Sequence, residues 1–186
     1  MSRFKIDRTP LEGLLRVQRT LLGDERGFFA RMFCSRDLAE AGWTAPLAQV
    51  NHSRTTVRGC VRGLHFQRPP HAESKLVSCL RGAVLDVAVD VRIGSPTYLQ
   101  WHAELLSADN GYALLVPPGF AHGFQALEDD VEMLYCNSAP HVGEAEDGLH
   151  PLDEDLAIAW PLPVVSLSPR DAGRARVAQG FVGVRL

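Results

Sequence analysis

A histidine stands near the end of the run Val61-Arg62-Gly63-Leu64-His65-Phe66-Gln67, whose other residues suit an ordinary strand. An imidazole in such a place can be a satisfied core group, a metal ligand or a proton carrier. Its ordinary pKa of about 6.5 suits it to proton transfer near neutral pH. Other groups with chemical potential are Lys75 at the head of KLVSCLRG, Asp86 and Asp90 in AVLDVAVDV, His122 at the close of GYALLVPPGFAH, and Tyr135 in VEMLYCN. Each also has a plain structural reading. Lys75 reads as a solvated lysine at a strand start, and Tyr135 as an apolar-layer aromatic with its hydroxyl at a polar end. In AVLDVAVDV the period of two puts Asp86, Ala88 and Asp90 on one side and Val87, Val89 and Val91 on the other. Carboxylates on that polar side face water, or else they line an interior cavity and need partners or an altered protonation state.

The elements that must hold these groups are short. Apolar runs of strand length recur between turn signals: LLRVQRTLLGDERG, AQVNHSRTTVRG, KLVSCLRG, AVLDVAVDVRIGSP, WHAELLS, ADNGYALLVPPG, VEMLYCN and VVSLSP. That rhythm predicts an all-β antiparallel sandwich or barrel. Helix is predicted in two places. One runs from Ser35, as cap, to Gly42; the other starts at Ser168-Pro169, a cap residue followed by proline at the first helical position. With 186 residues, 46% of them hydrophobic, the chain is long enough for one domain with a full core, spanning 1–186. A formal charge of −3 offers no general attraction to nucleic acid or to anionic membranes, so an anionic ligand would need a local basic cluster. The first fifteen residues carry Lys5, Asp7 and Arg8 rather than a secretory apolar core, and no stretch holds eighteen consecutive apolar residues. A cytoplasmic protein is expected. Cys34, Cys60, Cys79 and Cys136 are scattered singly, which predicts reduced core thiols rather than disulfides or a zinc knuckle.

Two segments resemble cupin signatures. Gly111, Pro117, Gly119 and His122 fit the second signature, G-x5-P-x-G-x2-H. Gly59, His65 and Gly82 resemble the first, in which a second histidine and a glutamate complete a metal site. Here Gln67 stands where that histidine would be, and Glu73 comes one or two places late; a neutral amide is a poor substitute for imidazole on a transition metal.

Over residues 10 to 172 the ordered blocks DERGFFARMF, QVNHSRT, VRGLHFQRPP, KLV, DVAVDVRIGSPTY, VPPGFAHGF, LY and IAWP resemble the dTDP-4-dehydrorhamnose 3,5-epimerase family. The GLHPLDEDLAIAWP tail is more similar to members from secondary-metabolite sugar pathways. The resemblance implies a metal-free cupin jelly roll with no cofactor, a homodimer with an exchanged N-terminal strand, and inversion at C3 and C5 of a dTDP-linked 4-keto-6-deoxyhexose. It assigns His65 as base, Tyr135 as acid, Lys75 as the cation beside the developing enolate, and Asp171 as the carboxylate behind His65. Ser168-Pro169-Arg170-Asp171 is also a capping sequence with its acid in the first turn. Arg26 and Arg62 match the diphosphate arginines, with Arg170 assisting. Gln49, Asn51 and Ser53 match the polar strand along the nucleotide and sugar, Phe28 and Phe29 match contacts to the base, and Asp86 and His122 match the sugar pocket. The Arg26 loop would enter the neighbouring subunit's site. Arg31, where the family commonly has a glutamate, and His141, where it has a second aromatic, depart from the pattern and leave the base open.

The rival readings are a nucleotide-sugar 3,4-ketoisomerase on the same barrel, a metal-dependent cupin oxygenase and a non-catalytic sugar-binding cupin. Gln67 speaks against the oxygenase. His65, Lys75 and Tyr135 together speak against simple binding.

Overall fold

A computed structural model describes residues 2–186. Thirteen strands lie among them: β1 (Phe4–Arg8), β2 (Leu15–Arg19), β3 (Leu22–Asp24), β4 (Gly27–Phe29), β5 (Gln49–Thr55), β6 (Val61–Gln67), β7 (Lys75–Arg81), β8 (Ala83–Asp90), β9 (Trp101–Ser107), β10 (Tyr112–Val116), β11 (Phe120–Ala126), β12 (Val131–Asn137) and β13 (Glu146–Gly148). Helix α1 (Ser35–Ala39) follows β4, and α2 (Pro169–Ala172) lies in the C-terminal segment. A six-stranded sheet ordered β1-β2-β10-β7-β12-β5 packs on a five-stranded sheet ordered β13-β6-β11-β8-β9, while β3 and β4 form a separate hairpin. The pairings within the two large sheets are antiparallel, and the result is the barrel that the turn rhythm predicts, in the jelly-roll form that the family resemblance implies. Among the described residues no helix is long and apolar enough to cross a membrane.

Alternation along each strand sorts side chains into apolar layers between the sheets and outside them. Between the sheets lie Val77, Cys79, Val84, Ala88, Leu114, Phe120, Phe124 and Met133. The opposite sides of β6, β8 and β11 place Leu64, Phe66, Val87, Val89 and Ala121 against Leu149, Leu156 and Val184 of the C-terminal segment. Thus the valine side of AVLDVAVDV is core, as expected, and its polar side turns into the barrel. Asp90 does not reach a ligand cavity. It accepts from Arg92 Nη2 (2.7 Å), Ser95 Oγ (2.5 Å) and Thr97 Oγ1 (2.7 Å), which shape the following turn.

Three local expectations are corrected. VVSLSP forms no strand and makes only one parallel bridge, Cys60 to Ser166, because Pro161 and Pro163 supply no ladder donors where the segment enters. Helix α1 takes Cys34, not Ser35, as its cap, and no side chain caps it. Packing of buried Leu38 and of the Phe33 and Trp43 rings, 5.0 Å apart, sets its position instead. Of the four free thiols, Cys79 and Cys136 are core; Cys34 is only half-buried, and so is Cys60, which stands on a cavity wall.

Candidate active site

Directly opposed residues on antiparallel strands point to the same face, so the registers determine what looks into the barrel. Across β7, β12 and β5 the inward rows are Lys75–Asn137–Gln49, Val77–Tyr135–Asn51 and Cys79–Met133–Ser53. One end of that face is polar and the other apolar. On the facing sheet His65 of β6 is the direct partner of His122 of β11. Strict alternation would turn Arg62 away from His65. However, β6 takes three steps from Arg62 to His65 where β11 takes two from Phe124 to His122, and the extra residue is Gly63, at φ +125°. Arg62 and His65 therefore both border the same cavity of about 770 Å³, together with Tyr135 and Lys75 from the opposite sheet. A Cβ at Gly63 would lie 2.6 Å from Gly123 Cα, so glycine is required where the two strands approach.

His65 Nε2 is 2.5 Å from Asp171 Oδ1. Asp171 is delivered by α2, whose first turn is shaped by Pro169 and by Ser168 Oγ accepting from the Asp171 N–H at 3.0 Å. The capping geometry and the imidazole contact thus coexist in Ser168-Pro169-Arg170-Asp171. The other carboxylate oxygen accepts from Gly63 N–H at 3.4 Å. Burial pushes the Asp171 carboxyl up, but the hydrogen bond and charge of His65 and the Gly63 N–H outweigh it, so the group sits below the usual carboxylate range. Because the folded value is depressed, this carboxylate contributes stability above the ordinary range and loses it as pH falls through the depressed value. With Nε2 donating to Asp171, Nδ1 of His65 is the nitrogen free to accept a proton.

Tyr135 faces this pair from the other sheet. Its hydroxyl is 3.3 Å from Ser53 Oγ, and its ring stands edge-on to His122 with centroids 6.3 Å apart. Burial drives the phenol well above its usual range, only partly offset by Ser53, so the hydroxyl keeps its proton at neutral pH. Lys75 Nζ lies 2.8 Å from Glu73 Oε1 on the same cavity wall. Asp86 does not line the cavity, contrary to expectation. It is fully buried behind His122, whose Nε2 lies 2.8 Å and 3.0 Å from its two oxygens. Burial raises the Asp86 carboxyl, and the charge and hydrogen bond of His122 counter it only in part.

The remaining expected contacts divide between two places. Arg62 borders the cavity, with its Nε donating to Thr55 Oγ1 at 2.9 Å. Gln49 and Asn51 are joined at 2.8 Å, and Gln49 Oε1 accepts from His141 N–H at 2.9 Å, tying the loop after β12 to β5. Arg170 reaches the rim and pairs with Glu146 Oε1 at 2.9 Å. Arg26, Phe28 and Phe29 are not brought to this cavity; they sit on the β3–β4 hairpin, with Arg26 paired to Asp24 and the two rings 62% and 68% exposed. Arg31 is engaged by Asp37 at 3.1 Å. Glu146 carries no sequence signal, yet it gathers Arg170, Arg174 (2.5 Å) and His141 (3.7 Å) at the rim. Nothing in the run EAEDG marks it, because its arginine partners are distant in the chain. Gln67 is committed as well. Its amide nitrogen donates to Glu73 Oε2 (2.8 Å), and its oxygen accepts from Val142 N–H (2.5 Å).

The family model described as dTDP-4-dehydrorhamnose 3,5-epimerase matches residues 8–179. A protein of that name from Sinorhizobium fredii is 43% identical over 158 residues, 84% of this chain and 81% of that one. A dTDP-4-dehydrorhamnose 3-epimerase from Streptomyces niveus is 41% identical over 170 residues, 91% and 82% of the two chains. Among solved structures, the dTDP-6-deoxy-D-glucose-3,5-epimerase of Legionella pneumophila in complex with dTDP-4-keto-L-rhamnose superposes with a TM-score of 0.93 at 39% identity, covering 98% of both chains.

Proposed function

Because the chain belongs to the dTDP-4-dehydrorhamnose 3,5-epimerase family, we propose that His65 and Tyr135 carry out epimerisation at C3, C5 or both of a dTDP-4-keto-6-deoxyhexose. A hydrogen on carbon next to a ketone leaves only if a base is aimed at it and the enolate oxygen is held by positive charge; inversion then needs an acid on the opposite face. His65 Nδ1 takes the proton, and ionised Asp171 stabilises the resulting imidazolium. The Lys75 ammonium faces the developing oxyanion at C4, and the Tyr135 hydroxyl returns a proton from the other side. The observation that carries this reading is the position of His65 and Tyr135 on opposite sheets of one cavity. C3 and C5 both flank the C4 ketone, so one base and one acid serve either centre.

Arg62 and Arg170 hold the diphosphate, and Gln49, Asn51 and Ser53 accompany the sugar and nucleotide. His122, braced by Asp86, closes the pocket wall behind the sugar. The exposed Arg26, Phe28 and Phe29 hairpin supplies a second subunit's site, which makes the working form a cytoplasmic homodimer. Their exposure on a hairpin separate from the two large sheets supports the pairing of two subunits.

Nuclear magnetic resonance of dTDP-4-keto-6-deoxyglucose incubated with the protein tests the reaction. The expected product carries inverted configuration at C3 or C5. A carbonyl moved to C3 would replace epimerisation with ketoisomerisation. For Asp171→Asn, kcat is expected to fall by about a hundredfold with KM unchanged, because an amide cannot accept both from His65 and from Gly63 N–H. Steady-state kinetics alongside a thermal melt check this, since the Ser168 cap is untouched.

A further inference from the structure

Glu73 has no task in the reaction above, yet its side chain is only 4% exposed and borders the catalytic cavity. A buried carboxylate persists only where its oxygens are satisfied. Here both are, with Oε1 2.8 Å from Lys75 Nζ and Oε2 accepting from Gln67 Nε2 at 2.8 Å. Gln67 is itself fixed from several directions. Its nitrogen also donates to His71 O (3.0 Å) and Pro140 O (3.2 Å), and its oxygen accepts from Val142 N–H. The contacts therefore run from an anchored amide, through one carboxylate, to the ammonium of a lysine.

A lysine stem is flexible, and its ammonium is a point charge without built-in direction. Unrestrained, Lys75 would spread that charge over several rotamers, and each productive encounter would wait for the right one. Stabilisation of developing charge is largest when the charge is aimed in advance. A lone carboxylate beside an enolate would oppose the reaction by repulsion, so its place on this wall makes sense through its partner. We infer that Glu73 is a positioning residue: anchored by Gln67, it fixes the Lys75 ammonium where the C4 oxyanion forms. This presupposes the role given to Lys75 under the proposed function.

The test compares Glu73→Ala, Lys75→Ala and the double variant by kcat for epimerisation and by calorimetric affinity for dTDP. Glu73→Ala is expected to lower kcat on the order of tenfold to a hundredfold. It is expected to leave the dTDP Kd within about twofold and to add no further loss in the Lys75→Ala background. Losses that multiply would overturn the inference while leaving Lys75 in its role. Wild-type kcat in Lys75→Ala would remove that role and the inference with it. An unchanged kcat in Glu73→Ala, or a loss confined to dTDP affinity, would also overturn it. Should the alanine variant not fold, Glu73→Gln goes through the same cycle under the same criteria. It keeps the volume but presents a donor to one of two donors.

Discussion

In His65→Ala, exchange of the substrate's C3 and C5 hydrogens with deuterated solvent is expected to stop, while dTDP binding persists. The His65 imidazole borders the cavity with the Asp171 carboxylate 2.5 Å from its Nε2, which leaves Nδ1 to take the proton. Removing it leaves Asp171 ionised but without a relay to the sugar. Loss of a general base costs on the order of 10²–10⁴-fold. The nucleotide contacts proposed for Gln49, Asn51 and Arg62 involve side chains held by other hydrogen bonds, so affinity for dTDP should not follow activity down. Proton exchange followed by mass spectrometry, with calorimetry on the same sample, separates the two effects. Undiminished exchange would take the base role away from His65.

Tyr135→Phe is expected to split the reaction. The base and the cation stay in place, so the enolate still forms and C3 hydrogens still exchange. The proton from the opposite face is missing, and completed inversion at C5 falls by on the order of 10²-fold or more. Phenylalanine keeps the ring against His122 and loses only the hydroxyl bonded to Ser53, so the fold is expected to hold. Deuterium content at each carbon, read against the stereochemistry of the product, checks this. Inversion at both carbons at the wild-type rate would mean that another group returns the proton.

Much of the barrel is legible from alternation. The valine and aspartate sides of β8 go where period two sends them, and Pro117 and Gly119 mark the turn before His122. What alternation misses is the extra residue at Gly63. Counted by twos, Arg62 faces away from His65, and only the register against β11 shows both at one cavity. Asp86 illustrates a different limit. Its inward side was readable, but His122, which covers it, comes from the neighbouring strand β11, two places along from its direct partner Phe124. Capping chemistry foretold α2 because Ser168 has no competing packing; in α1 the burial of Leu38 overrode Ser35. Glu146 gains its meaning from arginines that only folding brings near. The sharing of the site proposed for Arg26, Phe28 and Phe29 involves a second copy of the chain, and in the sequence only the family resemblance suggests it.

The most direct measurement is a crystal structure of the protein with dTDP-L-rhamnose, which lacks the C4 ketone and so stays unreacted. The expected result is a sugar ring in the cavity with His65 Nδ1 on one face, the Tyr135 hydroxyl on the other, and Lys75 nearest the C4 oxygen. A ring with both groups on one face, or one seated outside the space between the two sheets, would contradict epimerisation by this pair.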